Sequence, residues 1–413
     1  MTAENESLFV LRFDTLVYGG EALGRLPDGR AIFVPFVLPG ELAQVRLTEE
    51  KRRFARGEAI AILEPAPQRI TPRCRHFAVC GGCHYQHIPY PEQLAAKAEI
   101  LADQLIRIGK IEAPQVQPCV PSPHPWYYRN TVQFQQDPQG RLGYIDAGST
   151  GVLAIEECHL PLPRLNETWP RFDLEPLPDL IRLALRQGDD EEILATFYSE
   201  DPQAPEFSVD FNFSAVHFGP EGSILLSGDD HVFLTVLERS FRVSAGSFFQ
   251  VNTPLAEAMV RFLLDELQPG PHDLVLDVYC GVGLFSAFLA ERAGQVVGIE
   301  SSPFAVYDFE INLEEFDNVS LYEGEAGEVL PLLQIKPDIV VLDPPRAGVE
   351  IPALDAVVAL APARIAYISC DPATLARDAR RLIKGGYQLE HITPFDLFPQ
   401  TYHIESISFW KRM

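Results

Sequence analysis

The sequence predicts an α/β fold, with a parallel sheet covered by helices in the C-terminal half, preceded by a small β-barrel and a strand-rich central region. From about residue 247 onward, apolar strand-like runs alternate with helical patterns, which is the order that builds a parallel sheet. Residues 8–64 contain five short strand-like stretches separated by glycine and proline, as in small barrels. Residues 126–245 are mainly strand-like and turn-rich. A chain of 413 residues is long enough for two or three domains.

The composition is typical of a soluble globular protein. Hydrophobic residues make up 46% of the chain and charged residues 22%. No run approaches the roughly 18 consecutive apolar residues of a membrane span. Met1–Glu6 lacks a basic stretch followed by an apolar one, so we expect no signal peptide. The expected location is the cytoplasm, without membrane association, and cysteines there are usually reduced, metal-bound or catalytic.

The charge is unevenly distributed along the chain. The net charge of −25 by itself argues against binding of nucleic acid, because phosphate contacts favour lysine and arginine. Residues 1–150 hold 16 basic and 16 acidic residues, whereas residues 151–413 hold 17 basic and 42 acidic residues. We therefore expect any polyanion to bind from the N-terminal side.

A basic segment lies between the last two predicted strands of the barrel. Lys51, Arg52, Arg53 and Arg56 surround an aromatic residue, Phe54, on one hairpin. Such a hairpin can bind a phosphate backbone. The alternative is an ordinary solvated hairpin tip, and the sequence does not decide between the two.

Cysteines suggest a metal site. Cys74, Cys80 and Cys83 fall within ten residues, with two glycines that let the chain wrap closely. Four thiolates can hold a tetrahedral zinc ion or an iron–sulfur cluster. Cys158 is the natural fourth ligand and Cys119 the competitor, and the spacing does not distinguish the two metals. The alternative is a set of buried reduced thiols.

A glycine-rich turn indicates a cofactor site. The buried run Leu274–Tyr279 is followed by Cys280–Gly283 and then by a helical pattern. A dinucleotide site would need a third glycine where Ser286 stands, so the pattern favours a cofactor without a pyrophosphate. The next strand ends in Glu300, and a carboxylate there commonly binds ribose hydroxyls. An adenosyl group with a ribose and no phosphate implies S-adenosylmethionine.

Two further strand ends carry reactive or polar side chains. The apolar run 339–342 ends in Asp343, and the run 365–368 is closely followed by Cys370. Ligands of open α/β sheets bind at the carboxyl ends of the strands, so we expect Cys370 to lie beside the cofactor as a nucleophile. Adjacent Asp371 disfavours the thiolate, so another group must favour it. A lone cysteine at a strand end is otherwise usually structural.

The last segment, 398–407, holds two candidates for a general base. His403 and Glu405 are two residues apart and share one face of an extended chain. Either could accept a proton. A surface strand that happens to carry both residues is the alternative.

Three segments resemble the RNA 5-methyluridine methyltransferases. They are SCDPATLARD (369–378), DPPRAG (343–348) and TYHIES (401–406). The four-cysteine pattern resembles the iron–sulfur subgroup of that family, typified by the enzyme that methylates a uridine in 23S ribosomal RNA. The N-terminal barrel resembles the RNA-binding TRAM domain of the same proteins. Two departures are Asp371, where asparagine is frequent, and Leu284, where a cofactor-loop asparagine is common.

The resemblance implies a mechanism and a set of site residues. Cys370 would attack C6 of uracil, C5 would take the methyl group from S-adenosylmethionine, and Glu405 would remove the C5 proton. The uridine would have to flip out of folded RNA to reach Cys370. The residues carried over from the family are the cofactor contacts Gln250, Tyr279, Glu300 and Asp343 and the [4Fe-4S] ligands Cys74, Cys80, Cys83 and Cys158. Because the C-terminal region is acidic, we separately expect RNA affinity to depend on the barrel and on a local patch near Arg129.

The resemblance also predicts the domain organisation. It implies a five-stranded TRAM or OB-like barrel over residues 1–66 and a β-rich iron–sulfur and RNA-binding domain over 67–88 and 120–246. A Rossmann-like class I methyltransferase domain would comprise 89–119 and 247–413. We expect a monomer.

Several alternatives stay open at this point. The expected substrate is 23S ribosomal RNA, with transfer RNA as an alternative. A cytosine-C5 methyltransferase would also use cysteine attack at C6, although the terminal Glu405 motif fits uracil better. A non-catalytic RNA-binding protein with a metal-stabilised domain would not need Cys370.

Overall fold

The fold was analysed in a computed structural model, which describes residues 8–172, 174–205 and 211–413. The first six residues, on which the expectation of no signal peptide rests, lie outside this range. Four sheets follow one another along the chain. No helix in the described ranges is both long and apolar enough to span a membrane.

The N-terminal unit is a closed barrel with strand order β1-β2-β3-β5-β4, which confirms the predicted five-stranded barrel. Its strands are β1 (Leu8–Leu16), β2 (Glu21–Arg25), β3 (Ala31–Pro35), β4 (Leu42–Glu50) and β5 (Phe54–Glu64). Alternate residues point inward, so that Ile32 and Val34 of β3 are fully buried. At Gly57 the strands cross so closely that a Cβ would lie 2.6 Å from Val45 Cγ1, and only glycine fits there.

The central unit is a seven-stranded sheet with the order β12-β11-β10-β9-β6-β7-β8, in which only β10 and β11 run parallel among the described pairs. A separate hairpin, β13-β14, follows it. The strands are β6 (Thr131–Gln136), β7 (Leu142–Ile145), β8 (Val152–Ala154), β9 (Leu180–Gln187), β10 (Ile193–Ser199), β11 (Ser214–Gly219), β12 (Gly222–Ser227), β13 (His231–Val236) and β14 (Arg239–Ser244).

The C-terminal unit is a seven-stranded sheet with the order β17-β16-β15-β18-β19-β21-β20. All its strands run in one direction except β21, so the predicted parallel sheet is confirmed. The strands are β15 (Leu274–Val278), β16 (Gln295–Glu300), β17 (Val319–Glu323), β18 (Ile339–Leu342), β19 (Arg364–Ser369), β20 (Tyr387–Phe395) and β21 (Glu405–Arg412). Strand β18 is buried at every position because helices cover both faces.

Eight α-helices accompany the sheets in the described ranges. They are α1 (Tyr90–Arg107), α2 (Pro163–Thr168), α3 (Thr253–Leu267), α4 (Leu284–Ala290), α5 (Pro303–Asn312), α6 (Ala326–Val329), α7 (Ile351–Leu360) and α8 (Pro372–Lys384). Short 3₁₀ turns span Trp169–Arg171 and Leu330–Leu332. Side chains of α3, α4 and α5 form the core on one face of the C-terminal sheet, and those of α1, α7 and α8 form the core on the other.

Helix α1 joins the C-terminal sheet from far upstream in the sequence. It packs on α8 and β20, and Leu101 and Leu105 enter the same core. The buried face of this helix also includes the polar side chains of Gln93 and Lys97. The Lys97 ammonium lies 2.5 Å from Asp396 Oδ1, and both side chains are completely buried. A polar anchor therefore holds the helix in place, while the exact domain limits stay a prediction.

Candidate active site

The carboxyl ends of four parallel strands meet at one edge of the C-terminal sheet. Tyr279 follows β15, Glu300 ends β16, Asp343 follows β18 and Cys370 follows β19. The sheet pairs β16, β15, β18 and β19 side by side. Because these neighbouring strands are parallel, the four predicted site residues that end or follow them lie along one edge of the sheet.

The glycine-rich turn between β15 and α4 adopts a strained backbone. Tyr279, Gly281 and Gly283 have φ values of 64°, 55° and 91°. A Cβ at Gly283 would lie 2.3 Å from Leu313 Cδ1, so glycine is required there. The Tyr279 hydroxyl is buried without a hydrogen-bond partner among the described residues. An unpartnered buried hydroxyl beside an open turn suits a polar ligand group.

Glu300 links two loops at this edge. Its Oε2 accepts a hydrogen bond from the Gly281 amide at 2.9 Å. Its Oε1 accepts from the amides of Ser301 and Ser302, at 2.8 Å each. The carboxylate is thereby held in one orientation, and Oε2, which accepts only one of these bonds, can still accept a further hydrogen bond.

Two aspartates occupy the middle of the edge. Burial raises the pKa of Asp343 to about 7, and the nearby carboxylates Asp277 and Glu300 raise it further. Burial also raises the pKa of Asp277 to about 7. A hydrogen bond from Ser286 Oγ at 2.6 Å acts in the opposite direction but is the smaller effect. Asp277 lies within the predicted buried run Leu274–Tyr279, and the sequence pattern assigned it no role. Its Oδ1 has no partner among the described residues.

Gln250, the fourth expected cofactor contact, lies in the segment between β14 and α3. It is buried, and its backbone carbonyl accepts a hydrogen bond from Asn130 Nδ2 at 2.9 Å. The neighbouring residue Phe248 is 69% exposed. The contact with Asn130 ties this segment to the central sheet.

Cys370 stands at the junction of β19 and α8 and is partly exposed. The next residue, Asp371, caps α8, since its Oδ1 accepts from the amides of Ala373 and Thr374 at 2.9 Å each. Burial raises the pKa of the Cys370 thiol to about 12, as do the carboxylates of Glu405, Asp343 and, more weakly, Asp371. A nearby cation is therefore needed to favour the thiolate.

Glu405 lies near Cys370. In the antiparallel pair β19–β21, the register ends where Ser369 pairs with Ser406, next to both residues, and the Glu405 carboxylate is close enough to raise the pKa of the Cys370 thiol. Glu405 is 4% exposed. Burial raises its pKa well above the usual value, and Asp343 adds to the effect. A carboxyl with a raised pKa can hold or release a proton near neutral pH.

Arg346 is the cation that favours the thiolate form of Cys370. The sequence pattern assigned this residue no role. Its charge lowers the pKa of both Cys370 and Glu405. Its Nη2 lies 3.2 Å from both ring nitrogens of His403. Burial and then Arg346 lower the pKa of His403 to about 3, so this imidazole is neutral at physiological pH. The sequence signal that could have identified Arg346 as a site residue is its position directly after the two prolines that follow Asp343.

The four predicted metal-ligating cysteines line one cavity of about 350 Å³. Cys74, Cys80, Cys83 and Cys158 all contribute to its wall, together with Arg129. Burial raises the pKa of Cys80 to about 11 and of Cys83 to about 12, and the neighbouring cysteines add to both effects. The fold thus brings three cysteines that precede β6 and one that follows β8 to the same cavity.

These cysteines do not form a compact ion site. In the described residues, no group of three or more His, Cys, Asp or Glu side chains is arranged to hold a metal ion. The competing cysteine, Cys119, is buried near Asp396 and Lys97, away from the cavity. His76 and His84 have other contacts: His76 Nε2 accepts from the Glu156 amide at 3.1 Å, and His84 packs on a tyrosine ring.

The predicted basic hairpin is the turn between β4 and β5. Lys51 lies 2.8 Å from Glu49, and Arg56 pairs with Glu21. Arg52 and Arg53 at the tip are exposed, and within the described ranges neither forms an ion pair. Two of the four cations are therefore already neutralised by carboxylates.

Arg129 lies between the cysteine cavity and the C-terminal unit. Its guanidinium stands 5.8 Å from the Tyr128 ring centre and 5.7 Å from that of Phe398. Its Nε donates to the Tyr128 hydroxyl at 3.3 Å. The side chain is partly buried, and it is oriented by these aromatic contacts.

Sequence comparison places these features among known proteins. The profile of the tRNA (Uracil-5-)-methyltransferase family matches residues 229–331 and 328–413, and that of the TRAM domain matches residues 10–60. An uncharacterized RNA methyltransferase of Thermosynechococcus vestitus is 34% identical, over 96% of this chain and 96% of that protein. An uncharacterized RNA methyltransferase of Aquifex aeolicus is also 34% identical, over 96% of this chain and 97% of that protein.

A solved structure shares the whole architecture. It is the tRNA (uracil-54, C5)-methyltransferase of Pyrococcus abyssi in complex with S-adenosyl-L-homocysteine, which superposes with a TM-score of 0.73 and 24% identity. The match covers 98% of this chain and 100% of that one. At this level of identity the likeness shows a common fold.

Proposed function

The chain belongs to the RNA uracil-5-methyltransferase family and carries a TRAM domain, and on this premise we propose that it methylates C5 of a uridine in RNA. The observation that carries the proposal is the proximity of Glu405 and Asp343 to Cys370, next to the pairing of Ser369 with Ser406 at the carboxyl edge of the sheet. A nucleophile with a base close by is what substitution at C5 requires.

The methyl donor would be S-adenosylmethionine, held at the strand ends by Gln250, Tyr279, Glu300 and Asp343. The fit rests on the residues themselves, because the Tyr279 hydroxyl is buried without a partner in the described ranges and the fixed Glu300 carboxylate suits ribose hydroxyls. When bound, this cofactor supplies an electrophilic methyl group. The Pyrococcus abyssi protein of the same fold was solved with the corresponding product, S-adenosyl-L-homocysteine.

The protein residues would act in three steps. The Cys370 thiolate would bond to C6 of uracil, and the electron pair of the C5–C6 double bond would become available at C5. C5 would take the methyl group, and the electron pair of the broken S–CH3 bond would stay on the sulfur of the departing S-adenosylhomocysteine. Glu405 then accepts the C5 proton. The electron pair of the C5–H bond re-forms the double bond, and the Cys370–C6 bond breaks to release the thiolate. Arg346 lowers the pKa of both catalytic groups and so favours their reactive, ionised forms.

Cys74, Cys80, Cys83 and Cys158 would hold a [4Fe-4S] cluster. Four thiolates around one cavity form a donor set suited to such a cluster. A single zinc ion would need all four sulfurs about 2.3 Å from one centre, and the described residues form no such compact group. Because Cys370 chemistry consumes no electron, we assign the cluster a structural role beside the central sheet.

We propose 23S ribosomal RNA as the substrate, on the basis of the four-cysteine pattern. Transfer RNA is the alternative, favoured by the shared fold with a tRNA (uracil-54, C5)-methyltransferase. The barrel tip and Arg129 would contact the RNA, and the enzyme would act as a cytoplasmic monomer.

Methyl transfer to RNA tests the reaction. The purified protein, a labelled methyl donor and RNA lacking 5-methyluridine should give 5-methyluridine, and Cys370→Ala should give none. Cys119→Ala is the matched control, because it removes a buried thiol outside the site. Full activity of Cys370→Ala would exclude the mechanism.

Mapping 5-methyluridine in a deletion strain identifies the substrate. Loss of the base from 23S ribosomal RNA, with transfer RNA unchanged, is the expected result. Loss from transfer RNA alone would overturn the assignment of the substrate but leave the reaction intact.

A further inference from the structure

A side chain of the barrel reaches the loop that carries the nucleophile. Tyr18, in the turn between β1 and β2, donates a hydrogen bond to Asp371 Oδ2 at 2.9 Å. Asp371 directly follows Cys370, although the two bonded residues are 353 positions apart in the chain. The contact therefore joins the N-terminal unit to the reacting centre of the C-terminal unit.

The two carboxylate oxygens of Asp371 have separate partners. Oδ1 accepts from the first amides of α8, at Ala373 and Thr374, and Oδ2 accepts from Tyr18. A carboxylate with three donors on two sides has little freedom to rotate. Asp371 directly follows Cys370 in the chain. Hydrogen bonds that restrain the Asp371 side chain therefore also restrain the backbone that carries the Cys370 thiol.

Tyr18 also contacts the segment that carries the base. Its ring meets that of Tyr402 edge to face, with centres 5.6 Å apart. Tyr402 packs on His84, 4.6 Å away, and lies three residues before Glu405. The barrel turn is closely docked here, because a Cβ at Gly20 would lie 3.1 Å from His84 Cβ.

We propose that Tyr18 is a positioning residue for the methylation reaction: its hydroxyl fixes Asp371 and partly neutralises the charge of that carboxylate, which lies next to the Cys370 thiolate. This inference rests on the proposed function of the site. It gives the barrel a role in the chemical step in addition to RNA binding.

Charge explains why such a residue is needed. The carboxylates of Glu405, Asp343 and Asp371 face Cys370, and Arg346 is the opposing cation. Asp371 itself faces Tyr18 and Arg377, and Arg346 in turn faces Tyr18. A hydrogen bond from Tyr18 draws the negative charge of Asp371 toward the barrel and away from the sulfur. Burial and the adjacent carboxylate raise the pKa of Tyr18, so the hydroxyl keeps the proton that it donates.

The test uses Tyr18→Phe, Asp371→Asn and the double variant in the full-length protein. Tyr18→Phe removes only the hydroxyl and keeps the ring contact with Tyr402. Asp371→Asn removes the charge and keeps a good helix cap. Two quantities are measured: kcat and KM with uridine-containing RNA, and the rate at which iodoacetamide alkylates Cys370 at different pH values, read from the mass of its peptide.

Tyr18→Phe should lower kcat about tenfold, as expected for loss of a hydrogen bond to a charged group. It should leave KM for the methyl donor unchanged and shift the alkylation of Cys370 to higher pH. In the Asp371→Asn background, Tyr18→Phe should change kcat by less than about twofold. The reason is that the Tyr18 hydroxyl affects the reaction through the Asp371 carboxylate, which this variant lacks.

A purely structural role would give a different pattern. Tyr387→Phe is the matched control, since its buried hydroxyl donates to the Pro362 carbonyl far from the site; it should leave kcat and the alkylation profile unchanged. An unchanged alkylation profile in Tyr18→Phe, or an equal loss of kcat with and without the Asp371 carboxylate, would overturn the inference.

The alkylation measurement requires no methyl transfer, which separates the two proposals. In one outcome, the wild type makes no 5-methyluridine while Tyr18→Phe still shifts the alkylation of Cys370 to higher pH. That result would overturn the proposed reaction and leave the effect of Tyr18 on the Cys370 thiol standing. An active wild type with an indistinguishable Tyr18→Phe variant would overturn the positioning role alone.

Discussion

Glu405 lies near enough to Cys370 to raise the pKa of its thiol, next to the pairing of Ser406 with Ser369 in the antiparallel pair β21–β19. Strand β21 is the one strand of its sheet that runs against the others in the described chain. Because of this reversal, the start of β21 meets the end of β19. The reversed strand therefore brings the proposed base from the C-terminal part of the chain to the edge that holds the proposed nucleophile.

Glu405→Gln should trap a covalent complex. The amide cannot accept the C5 proton, so the bond from Cys370 to C6 of the methylated base should persist, and turnover should fall by at least about 10²-fold. A protein–RNA band on a denaturing gel measures the adduct. Glu310→Gln, on the exposed face of α5, is the control and should turn over normally. Normal turnover by Glu405→Gln would contradict the assigned role.

The stability of the unliganded protein should depend on Asp277. Burial raises its pKa to about 7, whereas an aspartate in an unfolded chain titrates at about 4. Between these values the folded state binds more protons than the unfolded state, so the free energy of unfolding falls as the pH rises.

Asp277→Asn isolates this contribution. The difference in unfolding free energy, wild type minus variant, should decrease by about 2–4 kcal/mol between pH 4 and pH 7. Urea unfolding at several pH values measures it. A difference that stays constant over this range would show that Asp277 ionises normally in the folded protein.

Cys158→Ser should remove the cluster. Anaerobically purified wild type should contain about four iron and four sulfide ions per chain, and the variant should contain far less of both. Cys119→Ser, a change at the buried cysteine outside the cavity, should retain the wild-type content. Stoichiometric zinc in place of iron would refute the cluster and leave a metal site.

Arg52→Ala with Arg53→Ala should weaken RNA binding more than Lys51→Ala with Arg56→Ala. The first two cations are free of ion pairs in the described ranges, whereas Lys51 and Arg56 already bind carboxylates. If both tip arginines contact phosphates of a single strand, the slope of log K against log salt should lose about 1.4. Filter binding at several salt concentrations measures this.

The control for the tip is a pair of exposed cations on α8. Arg380→Ala with Lys384→Ala makes the same change in net charge on the opposite unit. This variant should bind RNA like the wild type. An equal loss of affinity in both pairs would mean that net charge, and not the tip, governs binding.

Lys97→Ala should destabilise the protein by about 3–5 kcal/mol, because it leaves the carboxylate of Asp396 buried without its partner. Denaturant unfolding measures the change. Arg107→Ala breaks an exposed pair with Asp103 on the same helix and should change stability by less than about 0.5 kcal/mol. Equal effects of the two changes would contradict the anchoring role of Lys97.

Local patterns in the sequence predicted much of the site. Apolar runs that end in a polar residue identified the strand ends carrying Glu300, Asp343 and Cys370, because a buried strand leaves a strong signal. The terminal motif identified Glu405 as a candidate base. The parallel order of the sheet then followed from the alternation of strands and helices.

Contacts between distant segments left no such pattern. Tyr18 precedes two glycines in a barrel turn, and nothing local to it indicates a partner 353 residues away. Lysine is rarely buried unless it is paired, and the partner of Lys97, Asp396, is likewise remote in the sequence. The sequence favoured Cys158 over Cys119 but kept both as candidates, and the fold places Cys158, not Cys119, in the wall of the cavity with the other three cysteines.

The anchor between Lys97 and Asp396 has a consequence for biosynthesis. The two residues are 299 positions apart, so α1 leaves the ribosome long before its partner is made. At about 5–20 residues per second, that interval is on the order of 15–60 s. During it the barrel and the central sheet can form, while the apolar face of the helix remains uncovered. Nascent chains stalled between these two residues should therefore recruit chaperones through α1.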